Sequence, residues 1–539
     1  MKLTERGIAD THAWKGYALP KFDRVKMIAA TKKNPAWIHF GAGNIFRAFQ
    51  ALLAQELLEK NLTDTGIIVA EGFDLDIIDK AYRPYDNLSL LVTLKSDGSI
   101  TKTVAASVAE SYKCDPSFPD DWNALAEIFR SKSLALVTFT ITEKGYAVKN
   151  SDGNFLPAYC ADFEAGPDKA KMFLSRLCAL LYGRYLHADK HPVALVSTDN
   201  CSHNGEKLQA AVRAIAGEWQ KRGFVDEGFI DYISSPESVS FPWSMIDKIT
   251  PRPDAGVQAQ LKADGFEDAE IIVTDKHTYT ASFVNAESPQ YLVIEDAFPN
   301  GRPPLEKAGV YFTTRDTVNK VERMKVCTCL NPLHTALAIY GCLLGYTLIA
   351  DEMKDAELNT LVHRIGYDEG LPVVTDPKII DPKKFIDEVV TVRIPNPFMP
   401  DTPQRIACDT SQKLSIRFGE TIKAYAADPA LGTQKLKYIP LVLAGWCRYL
   451  MALDDEGKKF ELSPDPLLGR VCPFVEKIEL GRTYTAEALD GFLHGLLSDA
   501  SLFGVDLYAA GLAPLVLEYF GELTAGKGAV RAALKKHIR

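Results

Sequence analysis

The sequence predicts an α/β domain followed by a mainly α-helical one. Three observations carry this. A short apolar run, Ala36 to Phe40, meets a Gly41-Ala42-Gly43 turn and then a helical pattern. Two further continuous apolar runs, Leu134 to Thr140 and Val193 to Ser197, have the texture of central strands in a parallel sheet. Beyond about Phe298 long helical patterns replace strands, so the chain divides into residues 1–298 and 299–539.

The first unit begins with the strand Ala36–Phe40. After the glycine turn, Asn44 caps a helix running to about Lys60, with Ile45, Phe49, Leu52 and Leu53 on its inner face. Thr63-Asp64-Thr65-Gly66 ends that helix, and Ile67–Ala70 is a second strand. Strand, glycine turn, helix and second strand are the first half of a Rossmann-type dinucleotide-binding unit. Leu134–Thr140 runs into Ile141-Thr142-Glu143-Lys144-Gly145-Tyr146, and Val193–Ser197 into Thr198-Asp199-Asn200. Ligands of such sheets lie beyond the carboxyl ends of the strands, where both polar clusters fall. Asn300-Gly301-Arg302-Pro303-Pro304 is a turn-rich bridge. The helical patterns Asn331–Leu348, Ala356–Ile365, Tyr438–Leu453 and Ala486–Leu497 follow.

Composition narrows the function. The chain is 47% apolar and 24% charged, as in ordinary globular proteins, and its net charge of −9 argues against nucleic acid as the main partner. The longest apolar run, Ala336 to Ala350, is about 15 residues, short of the roughly 20 of a membrane span. The N-terminal MKLTERGIADTHAW has no apolar signal core, so a cytoplasmic protein is expected. Ten cysteines form no CxxC pair, and the lone Cys327-x-Cys329 has no second cluster to complete a zinc site, so no bound metal is expected.

The cofactor motif reads Gly41-x-Gly43-x-x-x-Arg47, with Phe46 where a third glycine is usual. Gly41, Gly43, Asn44 and Ile45 would bring backbone N–H groups to a pyrophosphate, and Arg47 could add charge. Glu71 and Asp74 are the candidate acids at the end of the second strand. A carboxylate there accepts from the adenosine ribose hydroxyls and repels a 2′-phosphate, which favours NAD over NADP. In the helical part Lys325, Asn331 and His334 share one short stretch. A lysine of lowered pKa can move a hydroxyl proton, an amide can hold an oxygen as it gains charge, and an imidazole can orient a neighbouring hydroxyl, so an alcohol and a ketone can interconvert without a metal.

These blocks together resemble the polyol-specific long-chain dehydrogenase family, the mannitol dehydrogenase and mannonate oxidoreductase group. IHFGAGNIFRAFQA, TITEKGY (Thr140–Tyr146), STDNCSHNG (Ser197–Gly205), SFPWSMIDKITP (Ser240–Pro251), EDAFPNGRPPLEKAGV, the Lys/Asn/His segment, RIPNPFMPD and DTSQK occur in the family's order. The resemblance implies an N-terminal Rossmann-type domain and a mostly helical C-terminal domain, with the active site in the cleft between. It also implies a metal-independent, NAD-linked oxidoreductase. It makes Lys325 the general acid/base, Glu322 part of the proton route, Asn331 and Asn200 the donors to the substrate oxygen, and His334 a substrate-orienting residue. Asp247, Arg393 and Lys413 fall at substrate-binding positions, and Thr142 and Glu143 in the block beside the cofactor. Three positions depart from the pattern. Lys325 precedes Asn331 by six residues where five are expected, a change that the loop before the helix could absorb. Pro332 follows the asparagine, and Phe49 stands where a histidine is common.

The expected substrate is a keto-uronate, D-fructuronate interconverting with D-mannonate, because Arg393, Arg405, Lys413 and Arg417 could meet a carboxylate. Mannitol or arabinitol, and tagaturonate, are the alternatives within the class. An NAD-using epimerase or a non-catalytic sensor is the alternative outside it. The expected assembly is a monomer or weak oligomer.

Overall fold

The computed structural model describes residues 1–399 and 401–538. The chain forms two compact units, Met1–Asn319 and Lys320–Arg539. The division falls inside the helix Arg315–Arg323, beyond the change of texture at residue 298. The reason is sheet pairing: strand Tyr311–Thr313 runs parallel to Tyr291–Glu295, which pairs antiparallel with Ser244–Asp247, so the segment after residue 298 returns to the first unit.

The main sheet has six strands, taken here in chain order: β1 (Trp37–Phe40), β2 (Ile67–Glu71), β3 (Val108–Lys113), β4 (Leu136–Phe139), β5 (Val193–Ser197) and β6 (Val239–Ser240). All neighbours are parallel and the spatial order is β3-β2-β1-β4-β5-β6. This is the doubly wound order of a dinucleotide-binding domain, and its order reverses between β1 and β4. Alternate residues serve the two faces. Ile38, Phe40, Val137, Phe139 and Leu195 pack beneath the helices Pro119–Arg130, Phe173–His187 and Asn204–Lys221. Trp37, Val69, Leu136 and Val196 pack with Phe46, Phe49, Leu53 and Leu57 on the other face. The strands β1, β2, β4 and β5 are those read from the sequence. The edge strand β3 is not, because Glu110 and Tyr112 alternate with its buried residues and break the apolar run.

The helix after the turn is divided. Asn44–Ala48 ends at Phe49, where φ is −129° and ψ −73°, and Gln50–Glu59 follows. A hairpin, Ile271–Val273 with Tyr279–Ala281, lies beside this region in contact with Arg47 and Asp74.

The second unit is helical. Tyr340 on Asn331–Leu344 donates to the Leu441 carbonyl of Tyr438–Tyr449 at 2.7 Å. Gly445 makes this approach possible, since a methyl there would sit 2.8 Å from the Tyr340 ring. The buried Glu369 carboxylate accepts from the N–H groups of Lys437, Tyr438 and Ile439, closing the start of that helix. One helical run, Arg315–Leu344, is 30 residues long with a mean hydropathy of 1.3 in its most apolar window, so a segment does reach membrane-spanning length and composition. The helical run is longer than the apolar run read from the sequence because the helix Arg315–Arg323 and the turn Met324–Cys329 lead directly, through Leu330, into the helix Asn331–Leu344. With 83% of that window buried inside the protein, it is a core helix.

A dinucleotide turn and a cationic helical site

Gly41 has φ +110°, and a methyl on it would lie 2.1 Å from the Thr140 carbonyl oxygen. Only glycine fits where β1 leaves the sheet against the end of β4. Gly43 is different: it is extended, and a methyl there would meet nothing within 4 Å, so its face is open. The residue between them is held at both backbone groups. Ala42 N–H donates to Glu71 Oε2 at 2.7 Å, and the Tyr82 hydroxyl donates to the Ala42 carbonyl at 2.9 Å. A tight turn followed by an open, pinned backbone at the switch point of the sheet fits a dinucleotide pyrophosphate. A bound dinucleotide would lie on Gly43 and Asn44, with the half-buried Ile45 packed behind.

Arg47 takes another course than a free charge. It is buried and donates to the Ala281 carbonyl, to Thr280 Oγ1 at 3.0 Å and to Asn44 Oδ1 at 2.7 Å. It thereby ties the turn helix to the hairpin, and burial lowers its guanidinium pKa. Glu71 is also turned inward. Its second oxygen accepts from Phe73 N–H at 2.8 Å and Asp74 N–H at 3.2 Å. Burial raises its pKa against these hydrogen bonds. Asp74 is buried and accepts from Thr274 Oγ1 at 2.6 Å.

At the ends of β4 and β5 one carboxylate organises two loops. Asp199 accepts from Ile141 N–H and Thr142 N–H, both at 2.9 Å, and from the Tyr146 hydroxyl at 2.5 Å. Thr142 has φ 65° and ψ 160°, a conformation that is essentially glycine's alone. Burial raises the Asp199 pKa, opposed by these three donors. Glu143 points outward and pairs with Lys207 on the helix Asn204–Lys221. Asn200 is exposed at the end of β5, and Asp247 is buried at the end of Ser244–Asp247. Asn204 holds this corner by donating to the carbonyls of Asp199 and Ser244.

A buried relay runs to the same turn. Trp37 Nε1 donates to Thr138 Oγ1 at 2.8 Å, so the Thr138 hydroxyl proton is directed to His39 Nδ1 at 2.7 Å. His39 then carries its proton on Nε2 and donates to Thr140 Oγ1 at 2.9 Å, which donates to the Gly41 carbonyl. His39, Asp199 and Tyr146 were not singled out as site residues from the sequence. All three stood inside matched blocks, His39 in IHFGAGNIFRAFQA, Tyr146 in TITEKGY and Asp199 in STDNCSHNG, which was the available signal.

In the second unit Lys325 is buried within a π turn, Met324–Cys329, closed by Leu330 N–H on the Lys325 carbonyl at 3.1 Å. This turn takes up the extra residue before Asn331. A π turn closes on the fifth residue where an α turn closes on the fourth, so one added residue is absorbed with little change of phase. The insertion therefore sits in the helix and not in a loop. Asn331 opens the following helix with Pro332 in its first turn, where no N–H is needed. Glu322 is half-buried three residues before Lys325.

Cations surround His334. Its pKa is pushed down to about 4, first by desolvation and then by Arg393, Arg417 and Arg405, with Asp401 opposing. Arg393 is buried at the end of the π turn Val389–Arg393. Arg405 pairs with Asp401. Arg417 is half-buried and donates to Thr335 Oγ1 at 2.5 Å, while that hydroxyl donates to the Asn331 carbonyl at 2.8 Å. Lys413 donates to the Cys408 carbonyl at 2.6 Å, and desolvation followed by Arg417 lowers its pKa. Among the described residues no carboxylate forms an ion pair with Arg417 or Lys413. Among the described residues there is also no group of three or more His, Cys, Asp or Glu able to hold a metal ion.

A Rossmann sheet with this turn and a helical unit carrying a Lys/Asn/His segment define a two-domain dehydrogenase. Residues 35–307 match the mannitol dehydrogenase Rossmann domain and residues 317–508 the mannitol dehydrogenase C-terminal domain, so the chain belongs to the mannitol dehydrogenase family. It is 53% identical to the D-mannonate oxidoreductase of Thermotoga maritima over 542 residues, covering 100% of this chain and 99% of that one. Among solved structures it is similar to Pseudomonas fluorescens mannitol 2-dehydrogenase, a ternary complex with NAD and D-mannitol, with a TM-score of 0.70, 26% identity and 99% coverage of both chains. A substrate-free D-sorbitol dehydrogenase superposes with a TM-score of 0.75 at 25% identity, covering 96% of this chain and 100% of that one.

Proposed function

We propose that this chain is an NAD-dependent oxidoreductase that interconverts D-fructuronate and D-mannonate. The carrying observation is the cationic environment of the helical site. Arg417 and Lys413 are half-buried beside the segment that holds Asn331 and His334, and no carboxylate pairs with them among the described residues. Arg417 is withdrawn from water with no carboxylate beside it among the described residues, and Lys413 feels Asp409 and Asp465 without an ion pair to either, so the two together favour a ligand that brings a carboxylate. A neutral polyol would leave the Arg417 guanidinium without a close counter-charge. The 53% identical relative is named for the same sugar acid.

Bound NAD(H) supplies or accepts the hydride. Lys325 gives the proton to the substrate oxygen in reduction and takes it in oxidation. Asn331 donates to that oxygen as charge develops, a contact worth roughly 3–4 kcal/mol in a dry site. His334, held neutral at physiological pH by its surroundings, orients a substrate hydroxyl. Arg417 and Lys413 hold the carboxylate, Arg393 and Asp247 contact the remainder of the substrate, and Glu322 relays protons. Asn200 keeps the donor role that its sequence block implies.

The test follows NADH absorbance with D-fructuronate, D-tagaturonate and D-fructose, for wild type and Lys325→Ala. Rapid oxidation with fructuronate that collapses in the variant is expected. Turnover of fructose alone would move the substrate to the neutral sugars, and no NADH loss with any of the three would end the keto-uronate reading.

A further inference from the structure

We propose that the chain takes the 2′-phosphorylated dinucleotide, NADP(H), as well as NAD(H), and that Lys276 holds the 2′-phosphate. This rests on the dinucleotide reading of the first unit and concerns the end of β2, where the adenosine ribose of such a ligand lies. Discrimination against a 2′-phosphate needs a carboxylate facing the ribose. Neither candidate acid here faces outward. Glu71 has one oxygen on Ala42 N–H and the other on the N–H groups of Phe73 and Asp74. Asp74 is bonded to Thr274 and is 3% exposed. The next acid, Asp76, forms an ion pair with Lys80 at 2.8 Å.

Lys276 differs from the neighbouring lysines. Lys80 pairs with Asp76 and Lys113 with Asp79, whereas no carboxylate forms an ion pair with Lys276 among the described residues. Its ammonium stands 4.1 Å from the centre of the Phe73 ring and donates to the Phe73 carbonyl. Phe73 is itself 70% exposed, an apolar ring left open two residues beyond Glu71. The hairpin that presents Lys276 is anchored on both sides, by Thr274 on Asp74 and by Arg47 on Thr280 and Ala281. The cation is therefore placed at the end of β2 by two cross-links to the cofactor turn. An open aromatic face with a cation that Asp76 feels only at a distance and that forms no ion pair among the described residues, and with Glu71 and Asp74 folded away, suits a phosphate better than it suits exclusion of one.

The experiment is direct calorimetric titration of NAD+ and NADP+ into wild type, Lys276→Ala and Lys276→Glu, at low and high salt. Lys276 is exposed, so both variants should fold, and NAD+ binding reports that they do. The expected result is NADP+ binding within about tenfold of NAD+ on wild type, weakening with salt. Lys276→Ala should weaken NADP+ by about tenfold and Lys276→Glu by more, with NAD+ changed less than about twofold in either. If NAD+ binds and NADP+ is more than about tenfold weaker, or if Lys276→Ala weakens both equally, the proposal is overturned and the dinucleotide reading stands. If neither nucleotide binds, both fall.

Discussion

The carboxylate of Asp199 accepts the backbone N–H of Thr142 at 2.9 Å and so holds a β-branched residue in a conformation that normally belongs to glycine. Such strain costs of order 1–3 kcal/mol and persists only where the surroundings impose it. Asp199→Ala would leave Ile141 N–H, Thr142 N–H and the Tyr146 hydroxyl without this acceptor. A stability loss of about 2–4 kcal/mol is expected in denaturant titrations, with a loss of dinucleotide affinity beyond it. An unchanged midpoint would mean that the loop holds Thr142 without help.

Gly41→Ala should uncouple the cofactor turn from the fold. The added methyl meets the Thr140 carbonyl oxygen at 2.1 Å, and φ is +110°. Either the turn or the end of β4 must move, so dinucleotide affinity by fluorescence titration is expected to fall by more than about tenfold. Gly43→Ala, whose methyl meets no protein atom within 4 Å, should leave stability unchanged and weaken only the ligand. Equal behaviour of the two variants would contradict their separate roles.

Arg417→Met removes a guanidinium while keeping much of the side-chain volume. If it receives a carboxylate, KM for fructuronate should rise by roughly tenfold to a hundredfold, with kcat less affected and fructose turnover unchanged. Arg417→Lys should recover part of the loss, because the charge returns without the fork. A parallel fall with fructuronate and fructose would show that Arg417 supports Asn331 through Thr335 and does not read charge.

Acid should destabilise the first unit through His39. Burial pushes its pKa down to about 3, while the unfolded chain protonates near the ordinary value of about 6.5. Below about 6.5 the unfolded state gains a proton that the fold refuses, so this contribution is whole above that pH and is lost as pH falls towards 3. The loss by pH 4 is roughly 3 kcal/mol for this one group. Urea midpoints from pH 7 to pH 4 should fall less steeply in His39→Gln than in wild type. Parallel curves would remove His39 as the cause. His334, pushed down to about 4, gives the second unit the same sign.

Glu352 runs the other way. Its side chain is fully buried, neither carboxyl oxygen has a hydrogen-bond partner among the described residues, and its pKa is raised to about 9, by desolvation and then by Asp355. Its stability contribution is whole below the unfolded value of 4.5 and is lost as pH rises towards 9. Glu352→Gln should therefore stabilise the protein by roughly 4–5 kcal/mol at pH 8 and hardly at all near pH 4.5. Destabilisation of the variant at pH 8 would be the contrary result.

Much of this was legible before any coordinates. A run of buried strands has no polar alternative for its side chains, so β1, β2, β4 and β5 stand where the apolar runs are. The glycine turn was legible because the conformation at Gly41 excludes other residues. The family blocks carried Lys325, Asn331 and His334. The edge strand β3 was not legible, since the half-buried Glu110 and Tyr112 interrupt it and the buried Ser111 and Lys113 are polar, so no apolar run marks it. Tertiary structure alone decided where the polar groups point. Glu71, Asp74 and Arg47 have the residue types of a dinucleotide site, yet each is turned inward by partners as distant in sequence as Thr274 and Ala281. It also decided that the extra residue before Asn331 becomes a π turn. A side chain's type is local, but the hydrogen-bond acceptors and the burial that fix its direction and charge come from chain far away in sequence, and only the fold brings them together.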